Sequence, residues 1–358
     1  MKKLFFIAVL LVGTTCLAQK TENVIVVTLD GLRWQEVFGG ADSLLIGDSG
    51  FVEDPEWLME KYWNEDPIER RETLMPFFWN TLAAKGQLYG NRKYNNKVDC
   101  TNNMWFSYPG YNEILTGFAD DENITSNSKI NNPNTTFLEY LNNKKKYSGK
   151  VAAFGSWDVF PYIINQDRSG IYVNAGFKKA QGKLTDREAF LNKIQDEIRG
   201  PWGSVRLDVF THHYALEALK KDKPKVLYIS YGETDDYAHD GEYDQYLLSA
   251  QQTDSYIKEL WETVQADAQY KDKTTLIITT DHGRGTQPRD TWKHHGKNIK
   301  GAGQIWMAVI GPDTPALGEV KQQGQLYQNQ VAATAVEALG EKYDQPKAGK
   351  AISAAIKK

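Results

Sequence analysis

Cysteine is nearly missing from this chain: 358 residues contain two, Cys16 and Cys100. Cys16 falls within "MKKLFFIAVLLVGTTCLAQK", where two lysines, an apolar stretch from Leu4 to Val12 and small residues leading to Ala18 have the layout of a secretory leader cut after Ala18. A lipid anchor on Cys16 is the rival reading, disfavoured by Thr14 and Thr15 where an aliphatic and a small residue are wanted. Once residues 1–18 are removed, Cys100 stands alone. An intrachain disulfide is then excluded, although an exported location, periplasmic or secreted, would permit one. Stability must come from a packed core, with bound metal as a further source. No later run is apolar for long enough to cross a bilayer, so the mature chain is expected to be soluble. A one-sided charge is missing as well: 25% of residues are charged but the net charge is only -4, which gives no field for a nucleic-acid duplex. Internal repeats and Pro/Gly-rich linkers are also absent, so residues 19–358 are expected to form one domain.

What the chain does have is a succession of short apolar runs: "NVIVVTLD" (23–30), "KVAAFGS" (150–156), "KVLYISYG" (225–232), "TTLIITTD" (274–281) and "QIWMAVIG" (304–311). Each is apolar almost throughout, as expected of strands covered on both faces. Between them lie segments of helical period at 74–86, 134–146, 204–221 and 243–265. The alternation predicts an α/β fold, a mostly parallel sheet wrapped by helices, with ligands beyond the carboxyl ends of the strands. Residues 39–72 are acidic and aromatic without clear period, and read as an insertion capping the site. Aromatic residues make up 12% of the chain; a packed core explains them more simply than a stacking surface.

Polar residues gather at the predicted strand ends. Asp30 closes the first strand and precedes Gly31, a common ligand position that a helix cap would share. Asp235 and His239 follow the 225–232 strand four residues apart, so a helical turn there would aim both at one cation; a solvated acidic loop is the alternative. Asp281 and His282 end the 274–281 strand, and His294 and His295 follow a dozen residues later. The chain has six histidines. His212 and His213 fall in a predicted helix, and the other four come after strands in the C-terminal half. Three aspartates and three histidines would supply two sites of three ligands each, open to water or substrate. In "FSYPGYNEILTG" (106–117), Ser107 stands where a helix begins, either as a plain cap or as a hydroxyl whose pKa a nearby cation could lower.

The ordered set of Asp30, "SYPG", Asp235 with His239, "DHG" and a final "HG" resembles the alkaline phosphatase superfamily, and most closely its nucleotide pyrophosphatase/phosphodiesterase branch. The similarity runs from residue 23 to about 312. It implies a three-layer sandwich. It also implies a serine nucleophile, Ser107, and two divalent ions, zinc or alternatively manganese. Asp30, Asp281 and His282 would hold one ion, which also meets Ser107; Asp235, His239 and His295 would hold the other. His295 is preferred to His294 because it directly precedes glycine.

Departures from the family pattern are part of the reading. Gly110 replaces an asparagine after the proline, and Asn127 is the nearest match to a phosphate-binding asparagine beyond the nucleophile. Sulfatases require arginine where Tyr111 stands, and end the metal motif with Asp-Asn where this chain has Asp281-His282. The loop 155–177 offers Trp157 and Arg168 as substrate contacts, with surface arginine and core tryptophan as the plain alternatives. The resemblance implies in-line attack by Ser107 on a small phosphate ester, a nucleotide among the candidates, with two cations about 4 Å apart stabilising entering and leaving oxygens. A sulfatase-like or phosphonate hydrolase, or a non-catalytic binding protein on the same scaffold, is the alternative.

Overall fold

The computed structural model describes residues 20–198 and 200–357; the leader expected at residues 1–18 lies outside them. Eleven strands are present among the described residues: β1 (Asn23–Leu29), β2 (Gln87–Tyr89), β3 (Asn96–Asp99), β4 (Val151–Gly155), β5 (Tyr172–Ala175), β6 (Val226–Tyr231), β7 (Thr274–Thr279), β8 (Gln304–Ile305), β9 (Met307–Ile310), β10 (Gly318–Glu319) and β11 (Gly324–Tyr327). Eight form one sheet in the order β10-β2-β9-β7-β1-β6-β4-β5. From β7 to β5 every pairing is parallel, while β9 runs antiparallel to both its neighbours. The other three, β11-β3-β8, make a small side sheet.

Every residue of β1, β6 and β7 is buried, which their unbroken apolar sequences require. Alternate residues of one strand enter different cores, because side chains of a strand point to opposite faces. Ile25, Val27 and Leu29 join a cluster with Leu216, Leu247 and Ile257, whereas Val24 and Val26 join one with Ile114, Leu115 and Val336. Helices therefore cover both faces, giving three layers. Asp208–Lys221 and Tyr243–Ala266 lie on one side, and Ser107–Thr116 and Val331–Ala338 on the other.

Three sequence expectations need revision in detail. The run 304–311 is divided: β8 pairs with β3 in the side sheet, and only β9 joins the main sheet. The segment 74–86 is interrupted at Met75, directly before Pro76, because proline pushes its predecessor out of helical geometry. Residues 39–72, read as aperiodic, contain the helices Pro55–Tyr62 and Pro67–Leu74. Each opens on Asp-Pro: the Asp54 and Asp66 carboxylates accept from the Trp57 and Ile68 amides, and the proline fills the first turn where no donor is needed. Leu45, Val52, Leu58 and Tyr62 from this region enter the core shared with Tyr243 and Leu247. Its outer edge meets the 289–293 turn, through Asp48 to Arg289 at 2.7 Å and Phe51 edge-on to Trp292.

A buried ion pair fastens this region below β1. Arg33 donates to Glu36, both nearly inaccessible, and Tyr243 donates to Glu36 at 3.0 Å. Burial lowers the Arg33 pKa, but the neighbouring Glu36 carboxylate outweighs it and holds the guanidinium well above its usual range. Glu36→Ala would leave that charge without its main partner. It should cost about 3 kcal/mol or more of unfolding free energy in a urea titration, while Arg33→Met/Glu36→Met together should cost much less.

Candidate metal centre

β7, β1 and β6 are adjacent and parallel, with Thr28 level with Thr279 and Leu29 level with Tyr231, so their carboxyl ends meet at one edge. Asp30 leaves β1 there and is followed by Gly31 at φ +61°, a turn that most side chains resist. The Thr234 hydroxyl donates to the Asp30 carbonyl, tying the Glu233–Asp240 helix after β6 to this turn. That helix carries Asp235 and His239 on one face, as a spacing of four requires. Asp281 and His282 follow β7, and the Gln328 amide holds the Asp281 carbonyl at 2.6 Å.

The side chains converge. His282 Nε2 lies 3.3 Å from Asp30 Oδ1, 3.4 Å from Asp281 Oδ2 and 3.7 Å from Asp235 Oδ1. His295 stacks on His282 with ring centres 3.9 Å apart, and its Nε2 is 2.9 Å from His239 Nε2 and 3.7 Å from Asp235 Oδ1. His239 Nε2 is in turn 3.3 Å from Asp235 Oδ2. Two groups of potential ligands result, Asp30–Asp281–His282 and Asp235–His282–His295, with His282 within reach of both and His239 facing the second. His294 is exposed, and its hydrogen bonds are those of its backbone: its carbonyl accepts from the Gly285 amide and its amide donates to the Thr291 carbonyl.

The tautomers follow from the hydrogen bonds. His282 Nδ1 faces the Gly283 carbonyl at 2.9 Å and His295 Nδ1 faces the Trp105 carbonyl at 3.3 Å. A carbonyl only accepts, so both Nδ1 atoms donate, and in the neutral ring each Nε2 keeps its lone pair for the cluster. His295 Nε2 and the Asp235 carboxylate then present lone pairs to the same point, and His239 Nε2, 2.9 Å from His295 Nε2, donates across that contact in the metal-free protein. Asp30 Oδ1 and Asp281 Oδ2 are buried with no hydrogen-bond partner. Burial first, and the neighbouring Asp235, push the Asp30 pKa well above the ordinary carboxylate range; burial and Asp30 do the same to Asp281. Orphaned carboxylate oxygens beside imidazole lone pairs form a donor set that fits divalent cations of the zinc or manganese kind. Asp236, next to the cluster, is pushed up to about 9 by burial and by Asp235, so it is neutral at pH 7.

Ser107 begins the Ser107–Thr116 helix, and its Oγ lies 3.4 Å from His282 Nε2. The turn before it is fixed by the buried Glu113, which accepts from the Thr101 and Asn102 amides and from both their side chains. Asn102 Oδ1 accepts from the Trp105 amide, and Trp105 holds φ +48°, an unusual value for a bulky residue. Asn127 is brought beside the serine: its Oδ1 accepts from the Tyr108 amide at 3.0 Å. Trp157 leaves β4 at the same sheet edge, half-buried and edge-on to Phe160. Arg168 does not face the cluster. Its Nε and Nη2 donate to Glu139, and its other contacts are the carbonyls of Asn132, Pro133 and Asn134, so it braces a loop. The run of four Asn or Pro residues at 131–134 leaves carbonyls that need such a donor, which explains its diversion.

Two residues were outside the sequence-derived set. Tyr111, noted only as the position of a missing arginine, donates to Asp30 Oδ2 at 2.8 Å and receives Ser230 Oγ at 3.1 Å. Arg284, two residues past His282, is fully buried and pairs with Asp235. A further group, His212, His213 and Glu259, also gathers ligand atoms. His212 there contacts the Tyr231 hydroxyl at 2.9 Å and Glu259 at 3.0 Å, and burial lowers its pKa to about 4, while Arg187 occupies His213 Nδ1. These are the contacts of a satisfied core histidine.

Residues 184–342 match the sequence model of the metalloenzyme superfamily. No curated protein matches the chain. The fold is similar to that of the alkaline phosphatase PafA, with a TM-score of 0.59 at 10% identity over 94% of this chain and 99% of that one. It is also similar to the phosphonate monoester hydrolase SpPMH from Silicibacter pomeroyi, with a TM-score of 0.56 at 12% identity over 93% and 76%. A 2-O GAG sulfatase gives a TM-score of 0.55 at 11% identity over 93% and 73%. The fold is thus alkaline phosphatase-like, and the matched segment, less than half of the chain, is similar to the metalloenzyme superfamily. It contains Asp235, His239, Asp281, His282 and His295, but neither Asp30 nor Ser107.

Because Tyr111 supplies the hydroxyl that orients Asp30, Tyr111→Phe should weaken binding of a divalent ion by Asp30, Asp281 and His282 about tenfold or more in a chelator competition assay. Unchanged affinity would show that Asp30 needs no such donor.

Proposed function

We propose that this chain is an exported two-metal hydrolase of phosphoric esters, with Ser107 as nucleophile. The observation that carries the reading is the position of the Ser107 hydroxyl at a helix N-terminus, 3.4 Å from His282 Nε2, beside two groups of carboxylate and imidazole ligands. Asp30, Asp281 and His282 would hold one ion, and Asp235, His239 and His295 the other. When bound, the two cations, zinc or alternatively manganese, would supply the positive charge that lowers the pKa of a hydroxyl and stabilises oxygens gaining charge at phosphorus.

The chain's own residues do the rest. Ser107 Oγ attacks phosphorus, the bond to the ester oxygen breaks, and the leaving oxygen takes a proton. Water then attacks the phosphoryl-serine, the Oγ–P bond breaks, and Ser107 regains its hydrogen. In its first turn the Tyr108 amide is taken by Asn127 and Pro109 has none, which leaves the Ser107 amide and the helix dipole to face the developing negative charge. Asn127 holds the Tyr108 amide and leaves its own amide nitrogen for a substrate oxygen.

Substrate charge follows from the cations at hand. A dianionic monoester calls for added positive groups, yet Arg168 is committed to Glu139 and Lys129 pairs with Asp158 at 2.7 Å. That shortage favours a monoanionic diester, with Trp157 beside the second substituent, a nucleoside among the candidates. Tyr111, bonded to Asp30 where sulfatases require arginine, argues against sulfate esters.

With zinc supplied, bis-p-nitrophenyl phosphate should be hydrolysed faster than p-nitrophenyl phosphate. Ser107→Ala should lower turnover by about a thousandfold or more while both ions still bind. Near-normal activity in that variant would refute the nucleophile assignment, and a rate ratio favouring the monoester would reverse the substrate preference.

A further inference from the structure

Arg284 is a fully buried guanidinium set among the carboxylates of the candidate centre. Its Nη2 donates to Asp235 Oδ1 and, at 2.8 Å, to the Asp235 carbonyl; its Nη1 donates to the Lys293 carbonyl at 2.7 Å. The same side chain thus grips the helix that presents Asp235 and His239 and the loop that presents His295. Gly31 makes room for it: a Cβ there would lie 2.9 Å from Arg284 Nε and 2.7 Å from Asp235 Oδ1.

The charges on the two groups of ligands differ in consequence. Asp30 and Asp281 bring two negative charges with no cationic side chain bonded to either, and each keeps one oxygen without a hydrogen bond. Asp235 brings one, and Arg284 cancels it; His239 and His295 are neutral donors when they bind metal. With its carboxyls ionised, as metal binding requires, the first group offers a dication a net charge of about -2, and the second offers a net charge near zero with a fixed positive group alongside.

On the reading of the centre as a two-cation site, we infer that Arg284 is a built-in countercharge. It occupies Asp235 until the second ion arrives and must share it afterwards. The two ions therefore load in order: the Asp30–Asp281–His282 site fills first and tightly, and the site of Asp235, His239 and His295 fills second and exchanges readily. Arg284 is a positioning residue for that second site, fixing Asp235 and the His295 loop while opposing occupancy. The second ion is then the one that local metal supply would control.

Titrating the metal-stripped protein with Zn2+ against a chelating dye tests this without any substrate. The wild type should show two steps, the second at least about tenfold weaker, and His239→Ala should remove only the second. Arg284→Met should tighten the second step about tenfold or more, leave the first within about threefold, and lower the melting temperature of the metal-free protein. Arg284→Lys, which keeps the charge, should retain the weak second step. Two ions binding in one step to the wild type would overturn the inference even if neither variant folds. So would a second step unchanged or weakened in a folded Arg284→Met. No zinc binding at all would instead remove the two-metal reading itself.

Discussion

Three carboxylates are buried at the ends of three adjacent strands with fewer hydrogen-bond donors than they have lone pairs, and the structure around them is arranged to tolerate that. Two like charges a few ångströms apart repel by about 4 kcal/mol at the effective dielectric of a protein, before desolvation is counted. Tyr111 and the Gly31 amide each satisfy one oxygen, and Arg284 satisfies Asp235, but Asp30 Oδ1 and Asp281 Oδ2 remain unpartnered. Burial raises the Asp235 pKa, and Arg284 with His295 overcomes it, so that carboxyl is held well below its usual range while Asp30 and Asp281 are held well above. The imbalance is what bound cations would relieve.

Such a cluster needs a rigid frame, and a parallel sheet covered on both faces provides one. Asp30, Asp235, Asp281 and His282 lie within four residues of the ends of β1, β6 and β7, so they inherit the register of the sheet. Ser107 arrives on a separate helix that must approach very closely. Gly110 permits this, because a Cβ at that position would collide with the Asp281 backbone. The asparagine that the family pattern places there would have no room.

Much of this was legible in the sequence because the chemistry is concentrated at strand ends. Apolar runs marked β1, β4, β6 and β7 within a residue or two, and the Asp and His residues just after them stood out by position. Strands β3 and β11 of the side sheet and β10 at the edge of the main sheet were not legible: they are short and polar, with pairings set by distant contacts. Arg168 looked like a phosphate ligand because its sequence does not reveal the carbonyls of 132–134 that claim it. Arg284 was overlooked although it sits in "DHGRG", since an arginine after a metal motif shows its importance only once Asp235 is folded against it. Tyr111 was read as a missing arginine, and its bond to Asp30 is a tertiary contact between residues 81 positions apart.

The central claim is that six side chains from distant parts of the chain hold two divalent ions beside one serine. Anomalous diffraction at the zinc edge from crystals grown with zinc tests it most directly. The account predicts two anomalous peaks, one among Asp30, Asp281 and His282 adjoining Ser107 Oγ, the other among Asp235, His239 and His295. A strand-end cluster without a peak, or zinc held instead by His212, His213 and Glu259, would contradict it.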